Sequence, residues 1–496
     1  MAAVLALAAV LPAPATGPTS ATSAPAPRPG EAELAAEVSA SRLLATVHDL
    51  VALGPRMGGT PSGDRAAAYL QAAFARLGLD TDVVEDPPAL AHWEESWSVE
   101  LLSGGKLATA WPYGFSPAVG PATGELVVVE DLAAVAAMAA ASPAWGGKVI
   151  YTPRDVPAVY SRLAKLAHPP LAILTSHPND PPRYVDAALI RNLPPRAGNP
   201  IAVFAVSYDE GRRLAAAAAR GVSSASGASG AGGASVRVAL RSTVRQGRSR
   251  TVVATLPGSD AENYYLICAH GDSDSGGPGA DDNASGEATV LEMARVFAAL
   301  ERGRRIPRPR VSLRFAVWGS EYASSGAYVA REGEKLRHCL GVINFDETGT
   351  GAEREAVYFE SNEVPWNARL LRTLDEVGAD YVGKPGFWPE YTTNPSQGGT
   401  DSYAFLPPPY KGELKSGLQI PATTIYTAAW DKLATVKQTP GWRSRGTPDP
   451  DNLKLDYSRY YHSSGDTPEN TTDRKPQSMP RAVKAASLAL LRLAFY

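Results

Sequence analysis

Apolar residues follow a regular pattern in the second half of this chain. Short apolar runs there alternate with longer segments in which apolar residues recur every three or four positions. Each run has the length of a buried strand, and each longer segment has the length of a helix. This alternation predicts an α/β fold, in which helices cover both faces of a largely parallel sheet. The predicted strands and the first helix between them lie at 251–256, 264–269, 286–300, 311–317 and 342–345.

The segment that follows residue 30 has a related pattern. It predicts a helix over 31–49, a Gly- and Pro-rich loop over 54–63 and a strand over 81–84. The spacing i, i+3, i+4, i+7 predicts a second helix between the loop and the strand. The apolar face of this helix comprises Leu70, Ala73, Phe74 and Leu77.

Residues 107–240 differ from both segments, because their apolar strands are shorter and the helices between them are brief. We interpret this stretch as an inserted domain, and residues 221–234 as a Ser/Gly/Ala-rich linker that leads out of it. A chain of 496 residues is long enough for two or more domains. The predicted division is a leader, a first part of the main domain, the insert and the remainder of the main domain, at 1–30, 31–106, 107–240 and 241–496.

The leader has the features of an export signal. Residues 2–11 are Ala, Val and Leu without interruption, and the first charged residue is Arg28. Ala13-Pro14-Ala15 follows and has the small residues of a cleavage site. We therefore expect a secreted or periplasmic protein, with a disordered leader as the alternative. The apolar run is too short to span a bilayer, and no other segment predicts a membrane span.

The composition argues against a nucleic-acid partner and bears on the role of the cysteines. The 48 basic and 51 acidic residues give a net charge of −3, and no basic run indicates a nucleic-acid partner. Only two cysteines are present, Cys268 and Cys339, both in or beside predicted core strands. We expect them to be buried as small apolar residues, although one disulfide remains an alternative.

Three polar residues follow predicted strands of the main domain. His270, Glu321 and Asp346 each lie at or just after a strand end. In parallel sheets, ligands bind at the carboxyl ends of the strands, so these side chains are expected to converge. Each also has a simpler interpretation on its own, as a strand cap, a solvated loop carboxylate or a turn residue.

Further residues in the same region have the chemistry of a metal site. Asp272 is placed to accept the second ring N–H of His270 and so fix its orientation. Asp282 lies in a Gly-flanked turn at a helix start, where its alternative role is an N-cap. Together, His270, Asp282, Asp346 and His462 fit two Zn²⁺ ions bridged by Asp282, each with an open position for water. Glu321 is then the natural general base for that water.

The motifs that carry these residues resemble those of the co-catalytic zinc exopeptidases. They are His270-x-Asp272, the turn at 278–286, Trp318-Gly319-Ser320-Glu321, Asn344-Phe345-Asp346, Tyr461-His462 with Asp466-Thr467, and the N-terminal Gly54-Pro55-Arg56 with Gly59-Thr60-Pro61. This family includes the bacterial leucyl aminopeptidases, aminopeptidase Y and the transferrin-receptor-like proteins. The resemblance covers roughly 31–106 and 249 to the end of the chain. Residues 200–211 of the insert resemble the last strand and helix start of a protease-associated domain.

The resemblance implies a three-layer α/β/α zinc-exopeptidase domain with a mostly parallel mixed sheet, and a smaller β-rich protease-associated insert. It also implies removal of N-terminal residues from peptides by a metal-bound water. One zinc ion would be held by His270, Asp282 and Asp346. The other would be held by Asp282, His462 and one further carboxylate. The sequence does not indicate the preferred N-terminal residue, the physiological metal or the oligomeric state.

One position departs from the family pattern. The family has two adjacent glutamates, a base and a metal ligand, where this chain has Glu321 and Tyr322. We favour Glu321 as the base and expect a weakened second metal site, with Glu321 as a ligand being the alternative. Glu347 is a possible replacement ligand, although strand alternation predicts that it points away from the site.

Two further sequence features are weaker. Residues 398–402 resemble a family segment near the substrate pocket, with Ser402 where a histidine is common. Phe387, Trp388 and Tyr391 either line an apolar pocket or pack on the core.

Two alternatives to an aminopeptidase remain. One is a dipeptidase or carboxypeptidase on the same scaffold, and the other is a peptide-binding protein that has lost catalysis.

Overall fold

The computed structural model describes most of the chain. Its described residues are 28–131, 133, 135, 145–153, 156–176, 184–224, 233–350, 355–360, 364–394, 400–407, 414, 417–427, 443–445 and 459–496. The predicted leader up to residue 27, part of the predicted linker and residues 398–399 lie outside this set.

The described residues form two sheets and the helices that cover them. The strands are β1 Asp80–Glu85, β2 Ala89–Leu101, β3 Gly105–Lys106, β4 Trp111–Pro112, β5 Val119–Val128, β6 Val149–Thr152, β7 Ala172–Thr175, β8 Ala202–Ala205, β9 Ser235–Gly247, β10 Arg250–Leu256, β11 Asp260–His270, β12 Val311–Trp318, β13 Cys339–Phe345, β14 Val357–Glu360, β15 Tyr391–Asn394, β16 Ala422–Tyr426 and β17 Arg443–Arg445. The α-helices are α1 Glu31–Glu37, α2 Ala40–Val51, α3 Pro61–Arg76, α4 Val156–Leu163, α5 Tyr208–Ser224, α6 Gly286–Arg302, α7 Glu321–Glu332, α8 Ala368–Tyr381 and α9 Ser478–Ala494.

The larger sheet has nine strands in the order β1-β10-β12-β11-β13-β16-β14-β15-β17. Its four central strands, β12, β11, β13 and β16, are mutually parallel, and the outer strands add antiparallel pairs. The predicted parallel centre is therefore confirmed. Because neighbouring parallel strands end at the same edge, the residues that follow β12, β11 and β13 are brought together.

Both faces of this sheet are covered, which gives the predicted three layers. On β11, Tyr265 and Ile267 face the core cluster formed with α2, α3, α6, α8 and α9. Leu266 and Cys268 face the opposite cluster, which includes Tyr328 of α7. A strand that is buried on both faces needs an uninterrupted apolar sequence, as β11 has over 264–269.

Both cysteines are buried and free, so the disulfide alternative is wrong.

Local sequence signals set the start of helix α3. The Thr60 hydroxyl accepts the Gly63 N–H at 3.2 Å, and Pro61 occupies the first turn, where a missing N–H costs nothing. Leu70 and Phe74 are buried on the predicted face. The loop that precedes this cap contains Arg56, which reaches the candidate site.

The smaller sheet corrects the predicted domain boundaries. Its order is β3-β2-β9-β5-β6-β7-β8-β4, so β2 and β9 both belong to it. The unit therefore spans about 89–247 rather than 107–240. The physical reason is the antiparallel ladder between β2 and β9, which pairs Ala89 with Gly247 at one end and Leu101 with Val236 at the other. Strand β2 carries many polar residues, so its sequence did not distinguish it from a connection. The resemblance of this unit to a protease-associated domain stays a prediction.

The insert contacts the main domain at a loop that carries a predicted ligand. The Ile190 N–H donates to the His462 carbonyl at 2.8 Å, and the Ser464 N–H donates to the Ala188 carbonyl at 2.9 Å. Between these bonds, Leu189 and Ser463 form an isolated antiparallel bridge. The two segments thus pair as a short two-stranded ribbon across the domain boundary.

None of the helices described here combines the length and apolar composition needed to cross a bilayer.

Candidate active site

Three predicted residues converge at one edge of the larger sheet. His270 is the last residue of β11, Glu321 begins α7 just after β12, and Asp346 follows β13. One ligand atom of each of these side chains lies within 4.8 Å of one from each of the others. The convergence that the strand ends predict is therefore present in the structure.

The spacing of the donor atoms fits a zinc ion. His270 Nε2 lies 3.3 Å from Asp282 Oδ1 and 3.4 Å from Asp346 Oδ1. Ligand atoms around a tetrahedral zinc ion with bonds of about 2.0–2.1 Å lie about 3.3–3.4 Å apart. One imidazole nitrogen cannot donate its single proton well to two carboxylates, whereas a shared metal ion satisfies all three groups.

Asp282 also faces the second histidine. Its Oδ2 lies 3.1 Å from His462 Nε2, so each of its two oxygens is directed at a different imidazole. Burial alone would raise the pKa of Asp282, but hydrogen bonds from His270 and His462 hold it below its usual value. This carboxylate is the only group of the site that contacts both histidines among the described ion pairs.

The turn at 280–285 is held by neighbouring polar groups rather than by Asp282 itself. The Asp466 carboxylate accepts the N–H of Asp281 at 2.8 Å and that of Asp282 at 3.0 Å. Asn283 accepts the Gly286 N–H at the start of α6 and donates to the Phe345 carbonyl. The N-cap interpretation of Asp282 is therefore wrong, because Asn283 accepts the N–H at the helix start.

Asp272 orients two members of the site. Its Oδ1 lies 3.2 Å from His270 Nδ1 and accepts the Glu321 backbone N–H at 2.9 Å. His270 Nδ1 is also 3.0 Å from the Asp272 carbonyl. These contacts place the proton on Nδ1 and leave Nε2 free to bind a metal.

Sequence reasoning missed the role of Thr400. Its hydroxyl donates to Asp346 Oδ2 at 2.7 Å, which fixes the orientation of that carboxylate. The neighbouring Asp401 is fully buried, and burial raises its pKa to about 8. The similarity of 398–402 to a family segment was the signal that could have identified both residues.

Arg56 ties the N-terminal loop to the turn that carries Asp282. Its guanidinium contacts Glu287 at 3.1 Å and donates to the carbonyls of Pro278 and Gly279. Arg56 and Glu287 are both fully buried. Burial raises the pKa of Glu287 to about 7, although Arg56 acts in the opposite direction.

The converging residues line a cavity of about 430 Å³. Its described lining contains five carboxylates and two imidazoles, and it contains no arginine or lysine. The carboxylates belong to Asp272, Asp282, Glu321, Asp346 and Glu347. Tyr322, which replaces the second family glutamate, also lines the cavity and is 53 % exposed. Such an excess of buried acid calls for compensating cations.

A second groove of about 720 Å³ adjoins this cavity, and His462 and Asn192 line both. The insert supplies most of the groove, with apolar residues such as Val156 and Tyr160 and one exposed cation, Arg191. The edge of the sheet that carries the converging residues is therefore continuous with a surface of the insert.

The aromatic residues near 390 have a structural role. Trp388 and Tyr391 are buried in the main core, and Phe387 packs against the same core. None of the three lines the cavity or the adjoining groove described above. The packing alternative is therefore correct for these residues.

Residues 251–487, which contain every strand-end residue of the site, match the model of Peptidase family M28. This part of the chain belongs to that family. The M28 domain accordingly comprises β10–β17, α6–α8 and most of α9, while the insert precedes the matched region.

Curated relatives of the M28 domain share moderate identity. The leupeptin-inactivating enzyme 1 of Streptomyces exfoliatus is 29 % identical over 229 residues, which cover 45 % of this chain and 44 % of that protein. A probable lipoprotein aminopeptidase of Mycobacterium tuberculosis is 25 % identical over 219 residues, covering 42 % of each chain. The matches thus span less than half the length of these relatives.

Solved structures show a similar fold over nearly the whole chain. A zinc aminopeptidase from Bacillus subtilis aligns with a TM-score of 0.59 and 18 % identity, covering 92 % of this chain and 95 % of that one. A peptidase M28 precursor from Shewanella amazonensis aligns with a TM-score of 0.60 and 17 % identity, covering 93 % and 95 %. At this identity the likeness shows the fold alone.

Proposed function

We propose that this protein is a zinc-dependent aminopeptidase. The observation that carries the proposal is the cavity itself, where histidine and carboxylate donors at zinc-compatible spacing face an acidic wall without arginine or lysine among its described lining. An acidic wall favours the ammonium group at a peptide's N-terminus and disfavours the carboxylate at its C-terminus. Relatives of the M28 domain include proteins named aminopeptidases, which supports the same conclusion.

We further propose that two zinc ions bind here. His270, Asp282 and Asp346 would hold one ion, and Asp282 and His462 would contribute to the other. The charge of the cavity supports two ions, because its lining has five carboxylates and only two imidazoles. When bound, zinc would polarise the scissile carbonyl and lower the pKa of a water molecule.

Glu321 would accept the proton of the attacking water and deliver it to the leaving amine. Burial raises the pKa of its carboxyl well above the usual value, and the nearby Asp401 and Asp346 raise it further. A raised pKa strengthens a carboxylate as a proton acceptor near neutral pH. The Glu321 backbone is fixed by its N–H bond to Asp272, so the carboxylate is positioned before substrate arrives.

The residues around the site would orient the other groups. Asp272 holds the His270 ring, and Thr400 holds Asp346. The groove that adjoins the cavity provides a surface for the peptide chain beyond the scissile bond.

Arg191 favours one narrower alternative. Its side chain lines the adjoining groove next to Asn192, and a cation there could pair with the C-terminal carboxylate of a very short peptide. A dipeptidase would require this carboxylate, whereas an aminopeptidase would not.

A peptide panel separates these functions. Each peptide is prepared in free, N-acetylated and C-amidated forms, and products are measured by mass spectrometry with zinc and with chelator. We expect stepwise loss of N-terminal residues from the free and amidated forms only, abolished by chelator. Cleavage that requires a free C-terminus would favour the dipeptidase, and binding of peptides without cleavage would favour a protein that has lost catalysis.

We also propose export of the protein, on the basis of the apolar segment at 2–11 and the small residues that follow it. Expression of the full chain in a bacterial host, followed by mass determination of the periplasmic and secreted fractions, tests this proposal. A mature N-terminus near residue 15 or later is expected, and full-length protein confined to the cytoplasm would contradict it.

A further inference from the structure

The half of the cavity around His462 is short of protein ligands. Asp282 and His462 are the two predicted ligands there, and Tyr322 stands where the family supplies a carboxylate. Catalytic zinc sites use three protein ligands and one open position. A third donor for this half of the site must come from elsewhere in the chain.

Glu347 is turned toward the cavity by its backbone. Strand β13 ends at Phe345, and Glu347 has a φ of 47°, in the left-handed region that residues with side chains seldom adopt. Its carbonyl accepts the Thr427 N–H at 3.1 Å, which fixes the turn. Strand alternation therefore no longer applies at this position, and the side chain lines the cavity.

The Glu347 carboxylate is buried and incompletely bonded. The residue is 1 % exposed, and its Oε1 has no hydrogen-bond partner among the described residues. A buried carboxylate oxygen without a donor costs free energy unless a cation or a proton compensates. Glu347 therefore places an acceptor without a donor in the wall of the candidate metal cavity.

The neighbours of Glu347 strengthen this need for a cation. Besides being buried, Glu347 faces the negative charges of Asp281, Asp282, Asp346 and Asp466. Asp281 accepts N–H bonds from Gly349 and Thr350, and Asp466 accepts those of the 280–285 turn. Glu347 has no comparable set of donors in the described structure.

We propose that Glu347 supplies the third protein ligand of the ion held by Asp282 and His462, and so replaces the ligand lost at Tyr322. This inference rests on the proposed zinc site but not on the substrate. The third ligand then comes from the turn after β13, whereas in the family pattern it comes from the start of α7. A weakened second site is then not expected.

Metal stoichiometry tests the assignment without measuring activity. Zinc per chain is determined by mass spectrometry of metals, and the metal-free protein is titrated with zinc chloride in a calorimeter. We expect two equivalents for the unaltered protein. Glu347→Gln keeps the shape of the side chain, and it should retain the first equivalent while the Kd of the second rises by about 100-fold or more.

Two further variants make the result specific. Glu355→Gln removes a partly exposed carboxylate that pairs with Lys475 and Arg481, and it should leave both equivalents unchanged. Tyr322→Glu combined with Glu347→Gln should restore the second equivalent, since it returns a carboxylate to the family position. Retention of the first equivalent shows that a variant is folded.

The possible failures are distinguishable. If Glu347→Gln binds two equivalents with unchanged Kd, the assignment of Glu347 is wrong while the proposed function stands. If the unaltered protein binds only one equivalent, the assignment is likewise overturned. Absence of zinc binding by the unaltered protein would contradict both the assignment and the proposed function.

Discussion

At the scale of single residues, Glu321 shows how one position combines local and tertiary constraints. It is the first residue of α7, and its backbone N–H is bonded to Asp272. Its carboxylate lies near His270 and Asp346, which are the proposed donors of the first ion. This proximity fits a base that would act on a water beside a bound metal, and it also fits a metal ligand.

The variant Glu321→Gln separates the two roles. We expect kcat to fall by about 10²–10⁴-fold, because the amide cannot accept the proton, while two zinc equivalents remain bound. Peptide hydrolysis and zinc content are measured on the same preparation. Loss of one full equivalent would show that Glu321 is a ligand rather than the base.

Local motifs predicted residues that the structure brings together. His270, Asp282, Glu321, Asp346 and His462 all reach the cavity, as their motifs indicated. Glu347 was expected to point away, and that expectation was wrong. Its left-handed backbone depends on bonds to Thr427, about 80 positions later, which no local pattern contains.

At the scale of elements, Arg56 joins three segments of the main domain. The loop before α3, the 278–286 turn and the first turn of α6 meet at its guanidinium. The pair with Glu287 is fully buried, so each charge depends on the other. The turn that carries Asp282 is thereby anchored to a segment more than 200 residues earlier in the chain.

Removal of this anchor should destabilise the main domain. We expect Arg56→Met to lower the free energy of unfolding by about 3–5 kcal/mol, because Glu287 is left buried without its partner. Urea unfolding monitored by circular dichroism measures the change. The double variant Arg56→Met with Glu287→Met should recover part of the loss.

An exposed pair serves as the matched control. Arg241 and Glu95 lie 3.0 Å apart on the insert, and both side chains are largely exposed. Arg241→Met should leave the unfolding midpoint nearly unchanged, since water replaces the lost contact. A similar small effect for Arg56→Met would show that the buried pair is not an anchor.

At the scale of the whole molecule, the insert takes part in the candidate site. Hydrogen bonds from Ile190 and to Ala188 hold the backbone on both sides of His462, and the same segment lines the adjoining groove. His462 itself has a φ of 52° and stacks on Tyr461 with ring centroids 3.5 Å apart. Its position therefore depends on contacts from a different domain.

Ile190→Pro removes the N–H that the His462 carbonyl accepts. We expect the Kd of the second zinc equivalent to rise by about 10-fold or more, because the loop is less well held, while the first equivalent is unchanged. Calorimetric titration of the metal-free protein measures both. Ile190→Val keeps the N–H and should behave like the unaltered protein, and equal zinc affinity for the proline variant would mean that the insert does not position His462.

The sequence by itself determined the α/β class, the parallel centre of the sheet and the identity of most candidate site residues. These features depend on short-range signals, namely periodic burial and polar residues at strand ends. The structure alone decided the extent of the insert and the orientation of Glu347. Each of these follows from pairing between segments distant in sequence, such as β2 with β9, and such pairing depends on long-range packing rather than on the local pattern.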